Sequence, residues 1–374
     1  MKIVCAPDSF KHSMPASVAA DAMARGVKAV WADADVVTVP MSDGGEGFTD
    51  AIAGGLNAEV REVGVHDALG RPRAGALAVA GDLAAFEMAT AAGLEHIADD
   101  EKDIMHADTH GVGELVLAAL DAGATHLVIG IGGSATNDGG AGMLAALGAR
   151  FLDESGAEVA PNPAGLADVV RVDTDALDPR LGDITVEVAC DVGNPLLGER
   201  GASAVFGPQK GASGEQVGEL DGILARLVDV TGQQDAAAQP GSGAAGGLGF
   251  ALRAFLGATL LPGVDLVART VGLADAVAGA DLVLTGEGSV DAQTLSGKAP
   301  AGVAQVAREA SVPVVIFGGR VAPDADALLD AGVEAIVAVT PEGTPLAEAL
   351  KAGEANLEAA TTGFLRKRRG GARG

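Results

Sequence analysis

This sequence has no tyrosine, a single tryptophan and only 3% aromatic residues. A chain so poor in flat rings lacks the stacking platforms on which single-stranded nucleic acid is bound. It is also short of positive charge: 25 lysines and arginines stand against 51 aspartates and glutamates, for a formal net charge of -26. Such a surface disfavours non-specific nucleic-acid binding. The basic run Arg366-Lys367-Arg368-Arg369 reads as the solvated end of a last helix. Only two cysteines occur, Cys5 and Cys190. Each ends a strand-like run and reads as a small buried hydrophobe, because no paired spacing exists for a metal or disulfide framework. No uninterrupted apolar run reaches about 18 residues, so no membrane-spanning helix is expected. Met1-Lys2-Ile3-Val4 opens without the charged leader, apolar stretch and cleavage site of a signal peptide. A cytoplasmic enzyme is the expectation.

What the chain does have is glycine and aliphatic residues. With 374 residues, 48% of them hydrophobic, and 55 glycines, it is long enough for two cores. Strand-like and helix-like runs alternate at both ends: strand 2–6, helix 14–31 with Ser13 as N-cap, strand 36–40 and helix 46–54 stopped by Gly54-Gly55. At the other end come strand 281–285, helix 298–310, strand 312–317, helix 324–332, strand 335–339 and helix 345–363. Alternation of this kind implies parallel strands with right-handed crossovers. The middle differs. Residues 59–65, 74–80 and 83–88 read as three closely spaced, antiparallel strands. They are followed by helix 111–121, strand 127–131, helix 141–148, strand 184–190, a loop at 192–213 and the amphipathic helix 214–231. Neither end has enough strands for a sheet of ordinary width. The predicted fold class is therefore α/β with two domains. Residues 1–62 and 278–374 form a discontinuous Rossmann-like parallel-sheet domain, and residues 63–277 an inserted mixed-sheet α/β domain. A ligand cleft is expected between them.

Acid-and-glycine loops follow many of these strands. Asp8-Ser9-Phe10-Lys11 follows Ile3-Val4-Cys5-Ala6, and Ser42-Asp43-Gly44-Gly45-Glu46-Gly47 follows Val36-Val37-Thr38-Val39. Gly132-Gly133-Ser134-Ala135-Thr136-Asn137-Asp138-Gly139-Gly140 follows Leu127-Val128-Ile129-Gly130, Asp191-Val192-Gly193-Asn194 follows Val186-Glu187-Val188-Ala189, and Thr285-Gly286-Glu287-Gly288 follows Leu282-Val283-Leu284. Ligands of parallel α/β sheets sit at the carboxyl ends of strands. Glycine lets backbone approach a ligand closely, and convergent N–H groups suit an anion. One such loop is an ordinary turn; the repetition of them, tipped with carboxylates, points to a metal–phosphate site.

Standard motifs are absent. A Walker A loop fails because Ala299 follows Gly297-Lys298 and Ala292 stands where its first glycine belongs. Gly241-Ser242-Gly243-Ala244-Ala245-Gly246 has the dinucleotide spacing, but 234–240 before it is no strand. Gly130 to Ala135 follows a strand, yet Thr136-Asn137-Asp138 prolongs the loop where a helix should start. His106 and His110 have helical metal spacing, but the segment precedes Gly111 and shows no accompanying Glu or Cys set. They read as surface or turn histidines.

Ala6-Pro7-Asp8-Ser9-Phe10-Lys11, Ser42-Asp43-Gly44-Gly45-Glu46-Gly47 and Gly130 to Gly140 together resemble the type 1 glycerate kinase family. Asp191-Val192-Gly193-Asn194-Pro195-Leu196, Phe206-Gly207-Pro208-Gln209-Lys210-Gly211 and Gly286-Glu287-Gly288 with Asp291 and Gly297-Lys298 extend the resemblance to nearly the whole chain. His12, Met14 and the stretch Asp103–Gly111 depart from the family pattern. The resemblance implies ATP-dependent phosphorylation of D-glycerate at its 2-hydroxyl, with Mg2+, on a two-domain α/β fold with one discontinuous domain.

Within that reading, Asp191, Lys11 and Asp43 are the expected catalytic residues, with Asp191 as general base and Asp43 and Asp191 as Mg2+ ligands. Asp8, Ser9, Asn194, Glu287 and Lys298 are expected to bind substrate, and Gly132, Gly133, Ser134, Asn137 and Asp138 the nucleotide. Lys210 is a further candidate for an anionic group. The reverse order, with the Gly132 loop on glycerate and the amino-terminal loops on ATP, stays open. The expected partners are small molecules, with a homodimer open and neither nucleic acid nor membrane. Two rivals remain: a dinucleotide-dependent dehydrogenase built on the Gly130–Ala135 loop, and a non-catalytic sensor of a small acid.

Overall fold

A computed structural model describes residues 1–295 and 297–371. Strands β1 (Lys2–Cys5) and β2 (Asp35–Thr38) open the chain, and β11 (Leu282–Val290), β12 (Val314–Val321) and β13 (Ala335–Ala338) close it. Between them lie β3 (Glu59–His66), β4 (Pro72–Ala80), β5 (Leu83–Glu87), β6 (His126–Gly130), β7 (Arg150–Leu152), β8 (Arg171–Asp173), β9 (Thr185–Ala189) and β10 (Thr259–Leu261). The chain divides into two compact units. The first holds Met1–Asp43, Asp50–Ala58 and everything from Val264 on; the second holds Gly44–Thr49 and Glu59–Gly263. The sequence reading puts the changeovers at 62 and 278. The units change earlier because β3 pairs along its whole length with β4 and so leaves the first unit at its first residue.

The first unit is a five-stranded sheet in the order β13-β12-β11-β1-β2, with every neighbouring pair parallel. Strands covered on both faces read as continuous apolar runs, and Ile3, Val4, Val283, Leu284, Val315 and Ile316 have no exposed surface. Helix Ala16–Lys28 turns Ala19, Met23 and Val27 inward against Leu357 and Leu365 of the long helix Gly353–Gly371. Burying each large side chain contributes about 1.5–3 kcal/mol. Two local expectations change. Pro15, with no side chain to accept a bond, occupies the cap position of the first helix, because Ser13 instead donates its hydroxyl to Leu350 O at 2.7 Å. Helix Phe48–Leu56 runs through Gly54-Gly55 and ends at Asn57, whose φ of 51° breaks the helical repeat.

The second unit carries a six-stranded mixed sheet, β10-β9-β6-β5-β4-β3. The β3-β4-β5 meander is antiparallel, and β5, β6, β9 and β10 are parallel. Phe86, Leu115, Ile129, Met143, Leu224 and Phe250 form part of its core. Helix Gly214–Thr231 begins with a capping box, Ser213 and Gln216 bonding each other's backbone. The stretch expected as one loop over 192–213 includes a short helix, Ala202–Phe206, and the Gly243–Gly247 segment leads directly into helix Leu248–Leu256. The paired strands β7 and β8 have too short a pattern to be read from sequence. No helix among the described residues is long and apolar enough to cross a membrane.

Candidate functional site

In the first unit, adjacent parallel strands end in acidic loops. Asp8 follows β1, and its N–H donates to Gly286 O of neighbouring β11 at 2.9 Å. Asp8 is only 8% exposed, and its carboxylate accepts from the Ser9 N–H at 2.6 Å. Burial, then the charges of Asp43 and Glu287, push its pKa up to about 8, against the pull of the Ser9 hydrogen bonds. Glu287 is equally buried. Desolvation raises its pKa too, but it has partners: the Thr294 hydroxyl donates at 2.7 Å, and Lys298 Nζ lies 3.3 Å from Oε2. Asp8 thus lies near two further carboxylates of the same unit, and their like charge adds to the cost of its burial. Gly288 lets β11 lie close to the loop after β1: a Cβ there would sit 3.2 Å from Lys11 N. The structure therefore brings together Asp8, Ser9, Asp43, Glu287 and Lys298, with Lys11 on the same loop as Asp8.

Beside this cluster, in the same unit, is a cavity of about 500 Å³, in the range of ordinary small-ligand sites. Phe10, Val321, Val339 and Leu350 give it apolar walls, and Lys11 and Arg320 give it cations. Arg320 escaped the sequence reading. Its signal was there to find: a lone arginine after Gly318-Gly319 at the carboxyl end of a strand.

In the second unit, β5, β6 and β9 lie side by side, and each ends in a candidate residue. After β6, Gly132 and Gly133 are exposed, while Ser134, Asn137 and Asp138 are buried. Asp138 is a brace. Its Oδ2 accepts from the Thr109 N–H at 2.9 Å, the Thr109 hydroxyl at 2.7 Å and the Gly142 N–H at 3.0 Å. Burial still raises its pKa, and these donors oppose the shift. Asn137 Nδ2 donates to Ser203 Oγ at 2.9 Å. Lys210, only 2% exposed, donates to Ser134 Oγ at 2.8 Å and Thr136 O at 2.7 Å, and burial lowers its pKa to about 7. The loop's side chains thus hold its shape from below, leaving the Gly132-Gly133 backbone at the surface.

After β9, Asp191 is exposed, with Oδ1 accepting from the Gly263 N–H at 2.9 Å. Asn194 Nδ2 donates to Arg200 O at 2.7 Å, closing its own loop. At the end of β5 stands Glu87, which the sequence reading did not single out. Its carboxylate accepts from the Thr49 N–H at 2.9 Å, and burial lifts its pKa to about 7. Asp191 and Asp43 belong to different units.

Comparison with known proteins points one way. Residues 3–368 match the model of the glycerate kinase family. The chain is 44% identical to a glycerate kinase of Bacillus subtilis, over 94% of this chain and 93% of that one. It is 42% identical to a glycerate 2-kinase of Escherichia coli, over 96% and 95%. A crystal structure assigned as glycerate kinase 2 of Salmonella typhimurium LT2 superposes with a TM-score of 0.91 at 41% identity, covering 100% of this chain and 99% of that one.

Proposed function

The chain belongs to the glycerate kinase family, and from that premise we propose that it transfers the terminal phosphoryl group of ATP to the 2-hydroxyl of D-glycerate. The products are 2-phosphoglycerate and ADP. The observation that carries the site assignment is Asp8, buried after β1, with its pKa pushed up by burial and by the charges of Asp43 and Glu287. Mg2+ prefers oxygen ligands and needs only one or two carboxylates, and this all-oxygen set fits it. Asp43 and Asp8 would hold the ion, and once bound it would neutralise charge on the phosphoryl oxygens.

The chain's own residues supply the rest. The cavity beside Lys11 and Arg320 takes the nucleotide, its apolar walls against the base and its cations toward the phosphates. Lys298, beside Glu287, offers a second point charge to an anionic group. In the second unit, the exposed Gly132-Gly133 backbone receives the glycerate carboxylate through its N–H groups. Of the two orders left open by the sequence, this is the reverse one. It is supported by the internal bonding of Ser134, Asn137 and Asp138 and by the size of the cavity in the first unit. Asp191, oriented by the Gly263 N–H, accepts the hydroxyl proton as the oxygen attacks phosphorus. It serves the proton rather than the metal. Two free cysteines, Cys5 and Cys190, accord with a cytoplasmic setting.

The test is purified protein with ATP, Mg2+ and D-glycerate, following ADP release and locating the phosphate by 31P NMR. Mg2+-dependent ADP formation with a signal at the 2-position is the expected result. ADP release indifferent to glycerate would overturn the reading.

A further inference from the structure

His110 has a metal-ligand neighbour at helical spacing, and it is not His106. His106 precedes the helix and pairs with Asp103 at 2.8 Å. The helix begins at His110, so the residue one turn along its face is Glu114. Opposite that face is His66, the last residue of β3. One ligand atom from each of His66, His110 and Glu114 lies within 4.8 Å of the other two. His66 Nδ1 is 2.8 Å from Glu114 Oε1, and His110 Nε2 is 3.8 Å from the same oxygen. The two rings stand edge to face, 6.0 Å apart at 71°.

Two contacts hold this arrangement from the backbone. The His66 N–H donates to Glu114 Oε2 at 2.7 Å, which fixes the carboxylate against the strand end. Gly111 lets the helix start pack directly on that strand, since a Cβ there would lie 2.0 Å from His66 O. The scaffold is therefore rigid, while the imidazoles are 44% and 41% exposed and can rotate.

We propose that His66, His110 and Glu114 form a binding site for a borderline transition-metal dication, with Zn2+ as its representative. Two imidazoles and one carboxylate are a ligand set for such ions. Tetrahedral Zn2+ with bonds of about 2.0–2.1 Å spaces its ligand atoms about 3.4 Å apart. The pairs described here bracket that value, so side-chain rotation alone closes the cage. Mg2+, which favours oxygen, is a poor occupant, which keeps this site chemically distinct from the carboxylates of the first unit. Bound Zn2+ would tie the end of β3 to the helix His110–Asp121 and stabilise the second unit through linkage.

The test uses the full-length chain, freed of metal, titrated with Co2+ and Zn2+ in the presence of excess Mg2+. The site predicts one equivalent of Co2+ with the intense visible absorption of tetrahedral nitrogen–oxygen coordination, displaced by Zn2+. His110→Asn and His66→Asn should each weaken Zn2+ binding by more than about tenfold, with the metal-free melting temperature held close to that of the parent. His106→Asn is the control and should change nothing. Zn2+ affinity unaltered in His110→Asn and His66→Asn, or no Co2+ spectrum at micromolar metal, would refute the site. Should either variant fold poorly, the Co2+ spectrum of the unaltered protein decides alone.

Discussion

Asp8 and Asp138 are both aspartates buried in loops after parallel strands, one in each unit, and they are buried in opposite ways. Asp138 is surrounded by donors. The Thr109 hydroxyl and the Thr109, Gly140 and Gly142 N–H groups all point at it. Asp8 is surrounded by like charge, with Asp43 and Glu287 adding to the cost of burial. Burial of a charge without partners is expensive. A carboxylate whose needs are met by its own protein is a strut, whereas one raised by burial and like charge, as Asp8 is, favours a ligand that brings positive charge.

The comparison can be broken in several places. The largest effect should come from Asp191→Asn, where turnover should fall by about 10²–10⁴ with the melting temperature unchanged. Steady-state kinetics beside a thermal melt checks both halves, and near-normal turnover would remove Asp191 from the chemistry. Next, Asp138→Ala should cost about 2–4 kcal/mol of stability, since it strands several buried donors at once. A urea titration reads this, and an unchanged midpoint would mean Asp138 is no strut.

Asp8→Asn should do the opposite. The folded-state pKa of Asp8, about 8, is raised above its unfolded value. Its proton-linked stability is therefore present at low pH and lost as pH rises through about 8. Replacing it by asparagine should make the metal-free protein more stable at pH 9 by at least about 1 kcal/mol, with the gain shrinking toward pH 5, while activity collapses. A variant less stable at every pH would reverse the assignment. Lys210→Met should have the smallest effect, about 1 kcal/mol at pH 9, because the loss of its bonds to Ser134 and Thr136 is partly offset by removal of a buried ammonium. Lys210 is depressed to about 7, so its neutral form is favoured in the fold. That contribution is present above the unfolded pKa and lost as pH falls through about 7. Melts across pH 6–9 should show the variant gaining on the parent toward the acid side.

Much of this was legible in the residues. Apolar runs such as Ile3-Val4-Cys5 and Leu282-Val283-Leu284 can hardly be anything but covered parallel strands, and the loops after them carry the acids. What the sequence could not display is which carboxylates share a space. Asp8 and Glu287 are far apart in the chain and meet only because β1 pairs with β11. The same limit hid the internal bonding of Asn137, Asp138 and Lys210. All are polar residues in a glycine loop, and only three-dimensional packing turns their side chains inward. His106 and His110 read from sequence as surface or turn histidines, because the helix start, which makes Glu114 the neighbour of His110, is a tertiary choice set by Gly111 against His66. The short strands β7, β8 and β10 have three residues each, too few for periodicity to register.

The most direct test is the ionisation of Asp8 itself, followed by carboxyl 13C NMR with and without Mg2+. The account predicts a pKa of about 8 in the metal-free protein and a fall to below neutrality once Mg2+ is added. An ordinary aspartate value without metal, or a titration that Mg2+ leaves untouched, would contradict it.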